Sequence, residues 1–376
     1  MAERKGALSG LLVISIEQAV AAPVCTVRLA DAGARVIKIE RREGETARNY
    51  DSAVHGMSAY FVWLNRGKES AVLDLKAPDD LALLHRMLAK ADVLVQNLLP
   101  GALDRLGLSR AEIAARYPRL IAVNIMGYGQ DTAYAPMRAY DMLVQAESGI
   151  CAVTGTPEQP CKVGVSAADI ATGMNAHAAV LEALIERQQT GRGQVIDIAM
   201  FDGMADWMAV PLLHYEHLGR ETERHGLSHA SIYPYRPFLC RDGRSIVVAV
   251  QSNAEWERFC RVVIERPDLV DHADCNNNAL RVANRRFIDS QLEPYFASVE
   301  SNQAISRLEA AQVAWSRITE LRDLGQHPAL RRTAVALPDG SMVPLPRPAG
   351  REAGFLPGPV PALGQHSQAI RAEFGS

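Results

Sequence analysis

The chain has 376 residues, 48% apolar and 22% charged, with a formal net charge of −3, the make-up of an ordinary globular protein too long for one small core. That charge gives no general attraction to nucleic acid or an anionic membrane, no apolar run approaches the ~20 residues of a membrane span, and the opening Met-Ala-Glu-Arg-Lys-Gly has no apolar region behind it to act as a secretion signal. The six cysteines are scattered without a C-x-x-C pair, so a disulfide framework or structural zinc is not expected and a reduced, cytoplasmic setting is.

Leu11–Ile16 and Arg35–Glu40 read as strands, with a helix over Pro23–Ala32 that starts on or near proline and stops before Gly33. Ala71–Leu75, Asp92–Gln96 and Leu120–Ile125 are further short apolar runs, and Asp79–Lys90 and Ser109–Arg116 between them have helical spacing. The alternation predicts a parallel sheet covered on both faces. A long helix is expected from about Ala168 to Gln189, where Ile170, Met174, Ala178, Leu181 and Ile185 recur at three- and four-residue spacing before Gly191. Val195–Ala199 reads as a strand and Phe201–Leu218 as a helix kinked or broken by Pro211.

Composition then changes. Glu221–Tyr235 carries several charges, His225, His229 and two tyrosines, and runs into Tyr233-Pro-Tyr-Arg-Pro237. A strand over Ser245–Val250 follows an Asp242-Gly243 turn, and helices are expected over Ala254–Glu265 and Arg281–Ala297. These form a candidate second domain. Pro338–Pro361 is rich in proline and glycine, as a linker or an extended return strand would be.

The strand–turn–helix–strand opening invites a nucleotide site, and Glu40 ends the second strand where a ribose-binding acid often lies. The first turn, Glu17-Gln-Ala-Val-Ala-Ala-Pro23, contains no glycine, however, so a pyrophosphate could not approach the backbone and NAD is not expected. Arg41-Arg42, Arg105 and Arg138 follow strands where α/β sheets bind ligands; each also reads as a solvated surface arginine. His225 and His229 have the spacing of a helical metal pair, but Gly226 and Ser228 argue against a helix there, and no metal is expected. Asp169 heads the long helix with no basic residue within five positions on either side. Such a carboxylate is either a helix N-cap or a nucleophile kept clear for a substrate, and spacing alone leaves both open. Asp141 and Glu147 are a second pair of acids, which read equally well as solvated helix charges.

Several stretches together resemble the class III CoA-transferases, the family of formyl-CoA transferase and carnitine CoA-transferase. They are Ala22-Pro-Val-Cys-Thr26, Leu29-Ala-Asp-Ala-Gly-Ala-Arg-Val-Ile-Lys-Ile-Glu-Arg41, Asn65-Arg-Gly-Lys-Glu-Ser70 with Leu73-Asp-Leu-Lys76, and Ala91-Asp-Val-Leu-Val-Gln-Asn97 running into Pro100-Gly101. Ala168-Asp-Ile with Gly173, Gly191-Arg-Gly-Gln-Val195 and Leu363-Gly-Gln-His366 complete the set in family order.

The resemblance implies an α/β fold: a large Rossmann-like parallel-sheet domain built from both chain ends, with a smaller central α+β domain, in an interlocked homodimer. The expected divisions are 1–200 for the first part of the large domain, 201–222 for a linker helix, 223–320 for the small domain and 321–376 for the return linker and the rest of the large domain. It further implies that Asp169 is the nucleophile, with Asp141 beside it. Arg41, Leu75, Asn97, Leu98, Arg105, Arg138 and Met200 match residues that line the CoA site. No metal or redox cofactor is implied, since the CoA thioester is itself a substrate.

Val20 stands where the formyl enzyme has a glutamine, and Tyr140 stands where the acyl-CoA racemases have a histidine, which argues against formate–oxalate exchange and a two-base racemase. Ser58-Ala-Tyr-Phe-Val-Trp-Leu-Asn-Arg66 and the Tyr233–Arg236 element look most like members that move CoA between succinate and itaconate, mesaconate, citramalate or malate. Arg28, Arg48 and Arg236 are the candidates for gripping a distal carboxylate. A monocarboxylate transferase and a 2-methylacyl-CoA racemase are the alternatives.

Overall fold

The computed structural model describes residues 6–375. Six strands, β1 (Leu12–Ile16), β2 (Arg35–Glu40), β3 (Lys68–Val72), β4 (Val93–Gln96), β5 (Ile121–Met126) and β6 (Val195–Ala199), form one sheet. Its order is β3-β2-β1-β4-β5-β6, and every neighbouring pair is parallel. The winding reverses between β1 and β4, the crevice where such sheets bind ligands. Connecting helices are α1 (Ala21–Asp31), α2 (Ala59–Asn65), α3 (Pro78–Lys90), α4 (Arg110–Arg116), α5 (Asp141–Glu147), α6 (Ile150–Val153), α7 (Ala167–Thr190), α8 (Met200–Trp207) and α9 (Ala209–Leu218).

The strands are apolar on both faces because both are covered. Val13, Val36, Val95 and Val123 pack under α1 and α7, while Ile14, Ile37, Leu94 and Ala122 pack under α3 and α4. Gly173 sets the approach of α7 to α1, since a Cβ there would lie 2.4 Å from the carbonyl oxygen of Ala21 and 2.5 Å from Val24. A side chain at 173 would therefore drive the two helices apart.

The chain divides into two compact units. One takes the chain up to Cys151, Lys162–Val210 and everything from Arg331 onward; the other takes Ala152–Cys161 and Pro211–Leu330. The second unit holds an antiparallel sheet of β7 (Tyr235–Leu239), β8 (Ser245–Ala249) and β9 (Ala314–Arg317), with α10 (Asn253–Arg258), α11 (Asn278–Ala283), α12 (Arg285–Ser298), α13 (Ser301–Ala310) and α14 (Leu321–Leu324). Phe238, Phe259 and Phe296 stack at its core beside Trp256.

The return segment contributes an antiparallel hairpin, β10 (Arg332–Ala336) and β11 (Met342–Pro346), and a last helix, α15 (Ser367–Phe374). The Leu363–His366 motif closes the free edge of β3. The N–H of Ser70 donates to His366 Nδ1 at 3.0 Å, the N–H of Gly364 to Ser70 Oγ at 2.9 Å, and the N–H of Val72 to Ser367 Oγ at 2.9 Å. An edge covered in this way cannot pair with another chain.

Three elements differ from their sequence pattern. β3 runs over Lys68–Val72 rather than Ala71–Leu75, because Lys68 and Ser70 point into a buried polar cluster and break the apolar run. The helix expected over Phe201–Leu218 breaks at Met208, and Pro211 occupies the first turn of α9, where a missing N–H costs nothing. The helix expected over Arg281–Ala297 is two helices that meet at Asn284.

Candidate active site

Asp169 is the third residue of α7, not its N-cap. Ser166 occupies the cap position without a side-chain bond, and the capping is done from outside the helix. Asp141, the first residue of α5, accepts the N–H groups of Ala168 and Asp169 on Oδ1, at 2.8 and 3.3 Å. Among the described residues nothing donates to the Asp169 carboxylate itself. Burial, then the negative charge of Asp141, pushes its pKa up to about 7. The N-cap reading is therefore excluded, and the N–H groups of Ala168 and Asp169 at the head of α7 are taken by its neighbour.

The surroundings come from three directions. Met200, at the start of α8, packs with Ala168, Ala171 and Val144. Val20 packs with Val24, and Ile170 lies against the same cluster. The turn ahead of Val20 is fixed firmly. The Gln18 N–H donates to Asn97 Oδ1 at 2.8 Å, Asn97 Nδ2 returns a bond to the Gln18 carbonyl at 2.9 Å, and the Ala19 N–H donates to Glu45 Oε2 at 2.9 Å. Ala19 is held at φ +62°, a left-handed conformation costly for a residue with a Cβ.

Beneath that turn lies a fully buried charge cluster that sequence spacing gave no reason to expect. Lys68 Nζ donates to Glu17 Oε1 at 2.7 Å, Lys38 Nζ to Glu45 Oε1 at 3.0 Å, and Thr26 Oγ1 to Glu17 Oε2 at 2.6 Å. Burial alone would raise the Glu17 carboxyl, but Lys68 and Lys38 outweigh it and bring it down to about 2. Burial lowers Lys68 to about 8 in spite of Glu17.

Arg41, Leu75, Asn97, Leu98 and Arg105 all follow the carboxyl ends of β2, β3 and β4. Arg41, Arg105 and Arg138 are exposed, Leu75 and Leu98 half-buried, and Met200 buried. Beyond the ends of β4, β5 and β6 a cavity of about 370 Å³ is lined by Leu98, Leu103, Tyr128 and Pro136. Its floor is a cross-strand chain in which Gln96 donates to Asn124 at 3.0 Å and Asn124 to Asp197 at 2.8 Å. Tyr140 precedes α5 and is exposed, and Glu147 ends that helix, also exposed.

The three arginines considered for a distal carboxylate stand differently. Arg48 makes a bidentate pair with Glu40, at 2.7 Å for each bond, and lies 3.8 Å over the Phe61 ring. Arg236 pairs with Asp289 at 2.6 Å and Glu293 at 3.0 Å. Both guanidinium groups are thus satisfied internally. Arg28 has no carboxylate partner among the described residues; with Arg351 it adds to burial in holding His177 of α7 below its usual pKa. Tyr233 is buried, donates to Asp289 and carries Arg285 over its ring at 4.6 Å, the position of a core residue of the second unit. His225 and His229 lie in irregular chain rather than on a helix, and His229 stacks on Tyr235.

A doubly wound parallel sheet with an acid kept clear at the head of α7 is an α/β enzyme scaffold whose class is supplied by likeness to known proteins: the model of CoA-transferase family III matches residues 8–367. The chain belongs to CoA-transferase family III. It is 30% identical to the succinyl-CoA:glutarate CoA-transferase of Mus musculus, over 97% of this chain and 86% of that one. It is 33% identical to the acetyl-CoA:oxalate CoA-transferase of Acetobacter aceti, over 100% of this chain and 97% of that one. Among solved structures, a CAIB/BAIF family protein from Brucella suis superposes with a TM-score of 0.83 at 31% identity, covering 99% of this chain and 100% of that one.

Proposed function

We propose that the protein moves CoA from succinyl-CoA to a short dicarboxylate through a covalent step on Asp169. The observation that carries this reading is the Asp169 carboxylate, unpaired at the head of α7 beside the fixed charge of Asp141 and with its pKa pushed up to about 7. A carboxylate with raised basicity is a better nucleophile, and a thioester is an acyl donor reactive enough to meet it.

An ionised Asp169 oxygen attacks the thioester carbonyl, the C–S bond breaks and the electron pair leaves with the CoA thiolate, giving a mixed anhydride. The thiolate then attacks the aspartyl carbonyl and expels succinate, leaving an aspartyl-CoA thioester. The acceptor carboxylate repeats the sequence in reverse and departs as its CoA thioester, restoring Asp169. Every atom comes from Asp169 and the two substrates, and no metal or redox cofactor enters. Arg41, Leu75, Asn97, Leu98, Arg105, Arg138 and Met200 are assigned to the CoA moiety by their match to the residues that line the CoA site in the family. In support, the first five follow the carboxyl ends of β2, β3 and β4, and Met200 packs against Ala168.

The acceptor class rests on the relatives, whose names give glutarate and oxalate, both dicarboxylates. Arg28 is the member of the arginine set free to meet a second carboxylate. Intact-mass spectrometry after incubation with succinyl-CoA and a hydroxylamine quench tests the nucleophile. Modification at Asp169, absent in Asp169→Ala, is expected, and an unmodified Asp169 in protein that binds CoA counts against it. Equal transfer rates to mono- and dicarboxylates would sink the dicarboxylate assignment.

We also propose an interlocked homodimer in the cytoplasm. Val210, Leu212, Leu213, Tyr215 and Leu218 of α9 are all exposed, and no residue of that helix is buried, a degree of apolar exposure unusual for a monomer. Light scattering should give twice the 41.0 kDa of one chain. Differently tagged dimers should fail to exchange subunits without denaturant. Rapid exchange would rule out interlocking.

A further inference from the structure

Gln145 lies on α5 one turn beyond Asp141 and is fully buried. Its Nε2 donates to Asp141 Oδ2 at 2.8 Å and to the Val165 carbonyl at 3.3 Å, and its Oε1 accepts the Val163 N–H at 2.8 Å. These partners fix the amide's orientation. Turned over, its oxygen would face two acceptors and its NH2 group a donor. Asp141 Oδ1 meanwhile accepts the N–H groups of Ala168 and Asp169. Both oxygens of Asp141 are met by N–H donors, so the orientation of the carboxylate is fixed.

We propose that Gln145 is a positioning residue that fixes the Asp141 carboxylate across the head of α7 and thereby holds its charge beside Asp169. The inference rests on, and deepens, the nucleophile reading above. Without Gln145 the Asp141 carboxylate loses the bond to Oδ2 that sets its orientation and can turn away from Asp169. The same amide ties down Val163 and Val165, the strand of chain that leads into α7, so the fixed charge and the nucleophile are located by one side chain.

Other groups on the elements packed around this site do not take over the role. α1 brings the buried Cys25 and brings Arg28, whose field falls on His177 further along α7. α8 carries Asp202 and Asp206, and α5 ends in the exposed Glu147. Asp141 is the charged group whose field raises Asp169.

The test is the pH profile of kcat/KM for succinyl-CoA in the full-length protein, with folding checked by circular dichroism. Wild type should lose activity as pH falls through about 7. Gln145→Met should move that acid limb down by about one pH unit. Its plateau rate should fall by about tenfold or more as the loop ahead of α7 loosens. A glutamine with a merely structural role would lower the rate at every pH and leave the acid limb where it is, which overturns the proposal. If Gln145→Met does not fold, the acid limb of Gln145→Asn, whose amide is one methylene short of Asp141, decides. An active Asp169→Asn would refute the nucleophile reading itself; an inactive Asp169→Asn with unmoved limbs in the Gln145 variants refutes only the role of Gln145.

Discussion

Replacing Asp169 with asparagine is expected to abolish CoA transfer and, above neutral pH, to stabilise the fold. Loss of a covalent nucleophile should reduce kcat by ~10⁴-fold or more. The stability effect follows from the same environment. The Asp169 pKa rises from 3.8 to about 7 on folding, so the native state binds the proton more tightly than the unfolded chain. Stability contributed by this group is therefore greatest below the unfolded value and is lost as pH climbs through the interval from 3.8 to about 7. At pH 8 the ionised carboxylate costs at most ~4 kcal/mol, less where water reaches it. Asparagine removes that cost, so thermal unfolding of Asp169→Asn should occur several degrees higher than wild type at pH 8, with the gain vanishing near pH 4. Equal unfolding temperatures at both pH values would show that the carboxyl is not strained by its surroundings. Retained transfer would remove it from the chemistry.

Glu17→Leu should be among the most damaging single substitutions in the chain. It leaves Lys38 and Lys68 buried with Glu45 as the remaining close anion, and removing one partner of a buried ion pair costs ~3–5 kcal/mol. The urea midpoint should fall sharply. The double variant Glu17→Leu with Lys68→Met should recover much of that loss, because it removes the stranded charge with its partner. If the two single losses simply add in the double variant, the pair is not acting as a unit. Transfer activity should fall along with stability in the single variant, since Lys38 and Glu45 also hold the Gln18–Val20 turn beside α7.

The sheet was legible in the sequence because strands covered on both faces show as unbroken apolar runs. Arg35–Glu40 and Val195–Ala199 read correctly to the residue. β3 was displaced by three residues, because Lys68 and Ser70 are interior without being apolar, and hydrophobic periodicity carries no sign of a charge neutralised by a partner 51 residues away. The same limit governed the site. Asp169 stood out locally, through the absence of nearby cations. The bonds that surround Asp169 come from Asp141, held in turn by Gln145, 28 and 24 positions earlier, and a glutamine on a short helix offers no pattern to notice. The arginines illustrate the converse: Arg48 and Arg236 looked available only because Glu40, Asp289 and Glu293 are distant or unremarkable in sequence.

The placement of Asp141 across the first N–H groups of α7 also bears on which way a mixed anhydride falls apart. An anhydride on Asp169 has two carbonyl carbons, and the returning thiolate expels whichever carboxylate is the better leaving group. An ordinary substrate carboxylate has a conjugate-acid pKa of about 4, whereas burial and the charge of Asp141 push Asp169 up to about 7. On the proposed route the thiolate is therefore drawn to the aspartyl carbon, releasing succinate rather than re-forming the donor thioester. On that route a buried acid beside a neighbour's charge is the poorer leaving group, and each encounter is biased toward exchange instead of return.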